Sequence, residues 1–94
     1  MRVKWLRKAL GNLDEEATHI EAEDPRAARL AVERVLNAVE TLASHPALGR
    51  PGRVSGTREL VVAKTRYLVP YRVRGDVIEV LRVFHTSRRV SKRW

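Results

Sequence analysis

Ninety-four residues, 44% of them hydrophobic, make one domain with a modest core and exclude disorder over the whole length. The absence of cysteine excludes disulfides and cysteine-based zinc sites. No apolar run is long enough for a membrane span or a signal peptide, so a cytoplasmic location away from membranes is expected. The net charge of +8 is lopsided: residues 1–49 hold seven Lys/Arg against eight Asp/Glu, whereas residues 50–94 hold twelve against three. A near-neutral first half and a strongly basic second half point to a surface for an anionic partner, such as nucleic acid or an acidic protein segment.

In chain order, Arg2 to Lys4 predict a short strand with Val3 turned inward. From Trp5 onward, Leu6, Ala9, Leu10, Leu13, Ala17 and Ile20 recur at the spacing of one helix face, while Lys8, Asp14, Glu15, Glu16 and Glu23 lie off it. This predicts an amphipathic helix of about five turns. Asp24-Pro25 predicts the start of a second helix, because Asp caps free N–H groups and Pro at the first helical position loses none that is needed. Its buried stripe is Ala28, Ala31, Val32, Val35, Val39 and Leu42, broadened by the flanking Leu30 and Leu36. The two helices predict an antiparallel hairpin over residues 5–44, and its apolar side must cover a sheet. Ser44-His45-Pro46 ends the second helix. Residues 45–57 follow as a loop rich in Pro and Gly that carries Arg50 and Arg53.

Residues 58–85 predict three consecutive strands. Tyr67, Val69, Tyr71 and Val73 alternate with Leu68, Pro70, Arg72 and Arg74, so one face is apolar and the other becomes basic. Arg74-Gly75-Asp76-Val77 fits a two-residue hairpin turn with Gly first, where φ > 0 is needed. Val77 to Phe84, apolar apart from Glu79 and Arg82, predicts a strand covered on both faces. A basic tail over residues 86–94 ends in Trp94. The fold class is therefore α+β: one domain over 1–94, with an N-terminal strand and a two-helix hairpin packed on a small, mainly antiparallel sheet.

The chemistry on offer is sparse. His19, His45 and His85 lack metal-ligand spacing, no glycine loop ends in the Lys-Ser/Thr of a phosphate cradle, and serine nucleophile motifs are absent. No metal or cofactor is expected. His85 is the exception in interest: among Arg82, Arg88 and Arg89 it is placed to serve as a general acid or base on a phosphodiester. Arg82 and His85 are three residues apart, so on an ideal strand they point to opposite faces and cooperate only if the strand ends or bulges between them.

An opening strand and a helical hairpin followed by HPALGRPGRVSGTRELVV, YLVPYRV, a Gly-Asp turn and IEVLRVFHTSRR resemble the RelE/ParE superfamily of bacterial toxins over nearly the whole chain. The most specific parts are Thr57 to Val61, Tyr71-Arg72-Val73 and Ile78 to His85. The resemblance implies the toxin half of a type II toxin–antitoxin module, with a cognate antitoxin as partner. RelE-like members are ribosome-dependent mRNA endonucleases that use basic residues on the sheet. ParE-like members share the fold, lack that set and inhibit DNA gyrase. Here Glu59 and Val61 stand where a RelE-type protein places a pair of lysines, and Leu68 stands where an arginine follows the motif's tyrosine. That departure implies a ParE-like gyrase inhibitor without a catalytic residue. The alternative, an endonuclease on ribosome-bound mRNA, would use Glu59, Arg66 or Arg72, and His85. Charge and position nominate Arg58, Lys64, Arg66, Arg82, His85, Arg88 and Arg89 as target contacts, and Trp5, Leu10 and Leu13 as the antitoxin-binding set.

Overall fold

The computed structural model describes residues 1–87. Strand β1 (Arg2–Trp5) leads into helices α1 (Arg7–Glu21) and α2 (Pro25–Thr41). Strands β2 (Arg50–Pro51), β3 (Arg58–Val61), β4 (Tyr67–Arg74), β5 (Val77–Val80) and β6 (Phe84–His85) follow. The sheet order is β1-β5-β4-β3-β2, with β6 also paired to β4. β1 runs parallel to β5, and every other pairing is antiparallel. This is the expected α+β architecture.

The two helices pack together on one face of the sheet. Asp24 starts α2 as expected: its side chain accepts from the backbone N–H groups of Arg26 and Ala27, both at 3.1 Å, which contributes about 1 kcal/mol. Ala9 and Leu13 of α1, and Val35, Val39 and Leu42 at the end of α2, meet Leu60, Val69, Tyr71, Ile78 and Val80 of the sheet. Leu10, Leu30 and Leu36 depart from the expected buried stripes and stay 51%, 45% and 39% exposed. At 3.6 residues per turn, Leu30 lies roughly 160° around α2 from Ala28 and Leu36 roughly 80°, both beyond the arc that meets the sheet. The first helix is also shorter than expected, because Trp5 belongs to β1 and packs inward beside Val3.

Three further differences come from the strands. Part of the expected loop is a strand, since Arg50 pairs with Glu59 and Pro51 with Arg58. Two residues with a Pro carry too little periodicity to be read as β. Val73 is 41% exposed, because the helices end short of the β4–β5 turn. The turn itself is as expected, with Gly75 at φ +58.

The stretch from Val77 to His85 is not one strand. Tyr71 pairs with Val80 but Leu68 pairs with Phe84, so Val69 and Pro70 oppose Leu81, Arg82 and Val83. One extra residue makes a β-bulge. The Leu81 N–H still reaches the Pro70 carbonyl at 2.9 Å. The Val83 N–H is turned out of the ladder and donates to Asn12 Oδ1 on α1 at 3.1 Å. The bulge shifts the inward parity from even to odd, so Ile78 and Val80 face the helices and so does Val83.

Candidate functional site

The loop between α2 and β3 is held to the sheet by two anchors. The first is Tyr71, fully buried, whose hydroxyl donates to the Pro46 carbonyl at 2.7 Å and accepts from the Gly49 N–H at 2.8 Å. A Cβ at position 49 would stand 2.6 Å from the Tyr71 ring, so only glycine fits there. The second anchor is Glu59, 3% exposed on β3. Its carboxylate accepts from the Arg53 N–H at 2.9 Å and lies 3.6 Å from the Arg50 guanidinium and 3.9 Å from that of Arg53. Glu59 is therefore sealed beneath two arginines. Arg58 also serves the loop, because its guanidinium donates to the Gly49 carbonyl at 2.8 Å.

Beyond the loop, the side of the sheet away from the helices carries a charge ladder. Lys4, Glu79 and Arg72 are neighbours across β1, β5 and β4. Arg72 Nε donates to Glu79 Oε1 at 2.5 Å, and Arg74 Nε lies 3.8 Å from the same oxygen. The hydrogen bond from Arg72 holds the Glu79 carboxyl below the usual range against the opposing effect of burial, helped by the charges of Arg72, Arg74 and Lys4. Arg72, Arg74 and Arg82 line a groove together with Leu6, Val73, Leu81 and the Val54–Thr57 segment.

His85 is elsewhere. Past the bulge it turns to the helix side, its ring standing edge-on to Tyr67 with centroids 5.4 Å apart. The Ser87 N–H lies 3.2 Å from His85 Nδ1, and Ser87 Oγ lies 2.7 Å from the same nitrogen. His85, Arg66, Lys64 and Arg34 rim a groove with Ile20, Ala27 and Leu30 on its floor. The Lys64 backbone sits at φ +62, and its carbonyl accepts from Arg34 Nη1 at 3.1 Å. This left-handed residue closes the β3–β4 turn and sets the rim in place.

The sequence-derived residues thus fall into separate groups. Arg66 and His85 share the helix-side groove. Arg72 and Arg82 share the groove on the other side, and Glu59 is in neither. A bulge does lie between Arg82 and His85, yet it leaves them lining different grooves. Arg88 and Arg89 lie outside the described residues. Of the antitoxin-binding set, Leu13 is core and Trp5 packs against it, whereas Leu10 keeps half its surface. Sequence reasoning did not single out Asn12, Arg34, Arg50, Arg53 or the Lys4–Glu79–Arg72 row. Strand register brings the row together, and register was the missing information. Among the described residues, no group of three or more His, Asp or Glu could hold a metal ion, and no helix is long and apolar enough to cross a membrane.

Residues 3–90 match the family model described as "ParE toxin of type II toxin-antitoxin system, parDE". "Putative toxin Y4kP" of Sinorhizobium fredii (strain NBRC 101917 / NGR234) is 48% identical over 87 residues, which cover 93% of this chain and 90% of that one. The solved structure "Chromosomal ParDE TA system from P. aeruginosa" superposes with a TM-score of 0.83 at 33% identity, over 90% of this chain and 95% of that one.

Proposed function

Because the chain belongs to the ParE toxin family of type II toxin–antitoxin systems, we propose that it halts growth by binding and inhibiting DNA gyrase, performs no chemistry itself, and is neutralised by a cognate antitoxin. One observation carries this reading. The residues an RNA-cutting relative would need are dispersed: Glu59 is sealed under Arg50 and Arg53, Arg72 is held by Glu79, and His85 stands in another groove. A general acid and base must both reach one phosphodiester, and this dispersal prevents it. Lys64, Arg66, Arg82 and His85 are the proposed target contacts within the described residues, joined by Arg88 and Arg89 of the tail. Arg58 contributes through the loop it holds. The test is supercoiling of relaxed plasmid by gyrase with toxin in stoichiometric excess. Inhibition is expected, and undiminished supercoiling refutes the reading.

Arg66 and His85 do line one groove, the single arrangement that favours an mRNA endonuclease instead. Mapping message ends on translating ribosomes decides it: codon-linked cuts that vanish in His85→Ala would establish cleavage, and intact messages during arrest would dismiss it.

The antitoxin's place in this reading is the helix-side groove, extended along α1 to the exposed Leu10. An apolar floor within a rim of Arg34, Lys64 and Arg66 suits an amphipathic segment with acidic flanks. Occupying that groove would also cover the proposed target contacts Lys64, Arg66 and His85, so neutralisation needs no further mechanism.

A further inference from the structure

The side of the sheet away from the helices holds more positive charge than its own acids use. Val3 and Trp5 pack on the core, so strand alternation turns Arg2 and Lys4 to this side, together with Arg72 and Arg74. Register sets them in two parallel rows across three strands. One row is Lys4, Glu79, Arg72, and the next is Arg2, Val77, Arg74. Among the described strands two carboxylates stand on this side of the sheet, and both are already committed: Glu59 to Arg50 and Arg53, and Glu79 to Arg72 and Arg74. The exposed Asp76, in the turn beyond, offsets one more charge, and the cations still outnumber the acids. Arg2 and Lys4 are exposed, Arg74 keeps 67% of its side chain in solvent, and Arg82 adds a further guanidinium at the groove.

We propose that this face binds the phosphate backbone of duplex DNA, without reading its sequence. Backbones of adjacent strands sit about 4.8 Å apart, so the cations of a row, on β1 and β4 across β5, stem from positions about 9.6 Å apart, and the two rows are about 6.7 Å apart; the cations form a grid able to follow a run of phosphates. Phosphate contact needs no more than such a grid. Among the described residues no aromatic ring lines the groove: Trp5, Tyr67 and Tyr71 are turned to the helices, and Phe84, on this side, lies opposite Leu68 near the other end of β4. A surface for single strands would need rings on which bases stack, so the duplex backbone is the better fit. The Val54–Thr57 segment closes the other wall, and Glu59 holds the Arg53 N–H just before it. Toxin on this account touches the DNA that a topoisomerase holds through one side of its sheet, while the helix side stays open to protein.

The test uses the full chain and a fluorescein-labelled random-sequence duplex, read by anisotropy between low and physiological salt, with no gyrase present. The outcome is therefore independent of whether gyrase is the target. Wild type is expected to bind with a steep inverse dependence of log K on log salt. Arg2→Gln/Lys4→Gln/Arg74→Gln is expected to reduce that slope by about 2.7, at 0.9 per lost phosphate contact. Lys8→Gln/Arg26→Gln/Arg29→Gln on the helices, an equal loss of three charges elsewhere, is expected to change it far less. Three results would each overturn the proposal: equal effects of the two variants, tighter binding to the single strand than to the duplex, or stronger competition by poly-glutamate than by unlabelled duplex. Arg74→Gln alone, which leaves the N-terminal strand intact and Glu79 paired with Arg72, is expected to weaken duplex binding with little change in the unfolding midpoint.

Discussion

Glu59 separates a structural latch from a catalytic base, and its replacement gives opposite outcomes under the two readings. In Glu59→Ala the Arg53 N–H loses its acceptor, a charge-assisted hydrogen bond of 2.9 Å that contributes about 1.5–3 kcal/mol. The two ion pairs add little, since Arg50 and Arg53 remain 58% and 39% exposed and solvent screens such pairs to under about 1 kcal/mol each. A loss of roughly 2–3 kcal/mol follows, and at 4–8 °C per kcal/mol for a domain of this size the unfolding midpoint falls by about 8–24 °C. Glu59→Gln keeps an acceptor for the Arg53 N–H and is expected to recover at least half of that. Thermal unfolding followed by circular dichroism reads the stability, and growth arrest on induction reads the activity. As a latch, Glu59→Gln still arrests growth. A Glu59→Gln protein with wild-type midpoint and no arrest would show that the carboxylate does chemistry, and the dispersal argument would fail.

Three other substitutions probe the same architecture. Tyr71→Phe strands the Pro46 carbonyl and the Gly49 N–H, and is expected to cost about 1–3 kcal/mol in urea unfolding with faster proteolysis between residues 46 and 57; an unchanged loop would refute the anchor. Asn12→Ala leaves the Val83 N–H without its acceptor beside a residue only 3% exposed, and a loss of about 1–3 kcal/mol in the same assay is expected. Glu79 has its folded pKa below the unfolded value, so its contribution is present above the ordinary carboxylate range and fades as pH falls through the depressed folded value. The stability gap between wild type and Glu79→Gln should therefore be full at pH 6 and shrink below pH 4; a gap that widens on acidification would reverse the assigned sign.

Helix periodicity and capping made the hairpin legible, because each depends on neighbours within a few residues. Asp24 is the clear instance: its cap is a local hydrogen bond, and the sequence is enough to place it. Leu30 and Leu36 were misplaced for a related reason. Hydrophobicity marks them as buried, but their exposure depends on how wide an arc the sheet presents, which is tertiary. The bulge was illegible on the same grounds. Nothing in Leu81-Arg82-Val83 differs from an ordinary strand, and the extra residue exists only relative to Val69 and Pro70 on the facing strand. Glu59 stood out in the sequence as an acid where a relative places lysine. That it holds down a loop depends on Arg50 and Arg53, which lie in a stretch without periodicity.

The bulge also explains how so small a sheet can serve two kinds of partner. Were Val77 to His85 in unbroken alternation, position 85 would stay in step with Glu79 and His85 would join the arginines on the far side. The bulge instead carries His85 to Tyr67 and the helix-side groove, while Arg82 stays with Arg72 and Arg74. That separation breaks up a set of groups that together would resemble an acid–base site on RNA. It also leaves one side with an apolar floor and a basic rim, suited to a protein, and the other with charge in rows, suited to a polyanion. Asn12 stabilises the arrangement by accepting the N–H that the bulge turns out of the ladder, so a helix residue distant in sequence helps determine which face His85 occupies. Deleting Arg82 takes out the bulge yet leaves Val83 and His85 facing the helices, so it should remove a guanidinium from the basic side while antitoxin binding in the helix-side groove is kept. If the deletion variant folds but loses antitoxin binding, strand alternation does not set which face His85 occupies.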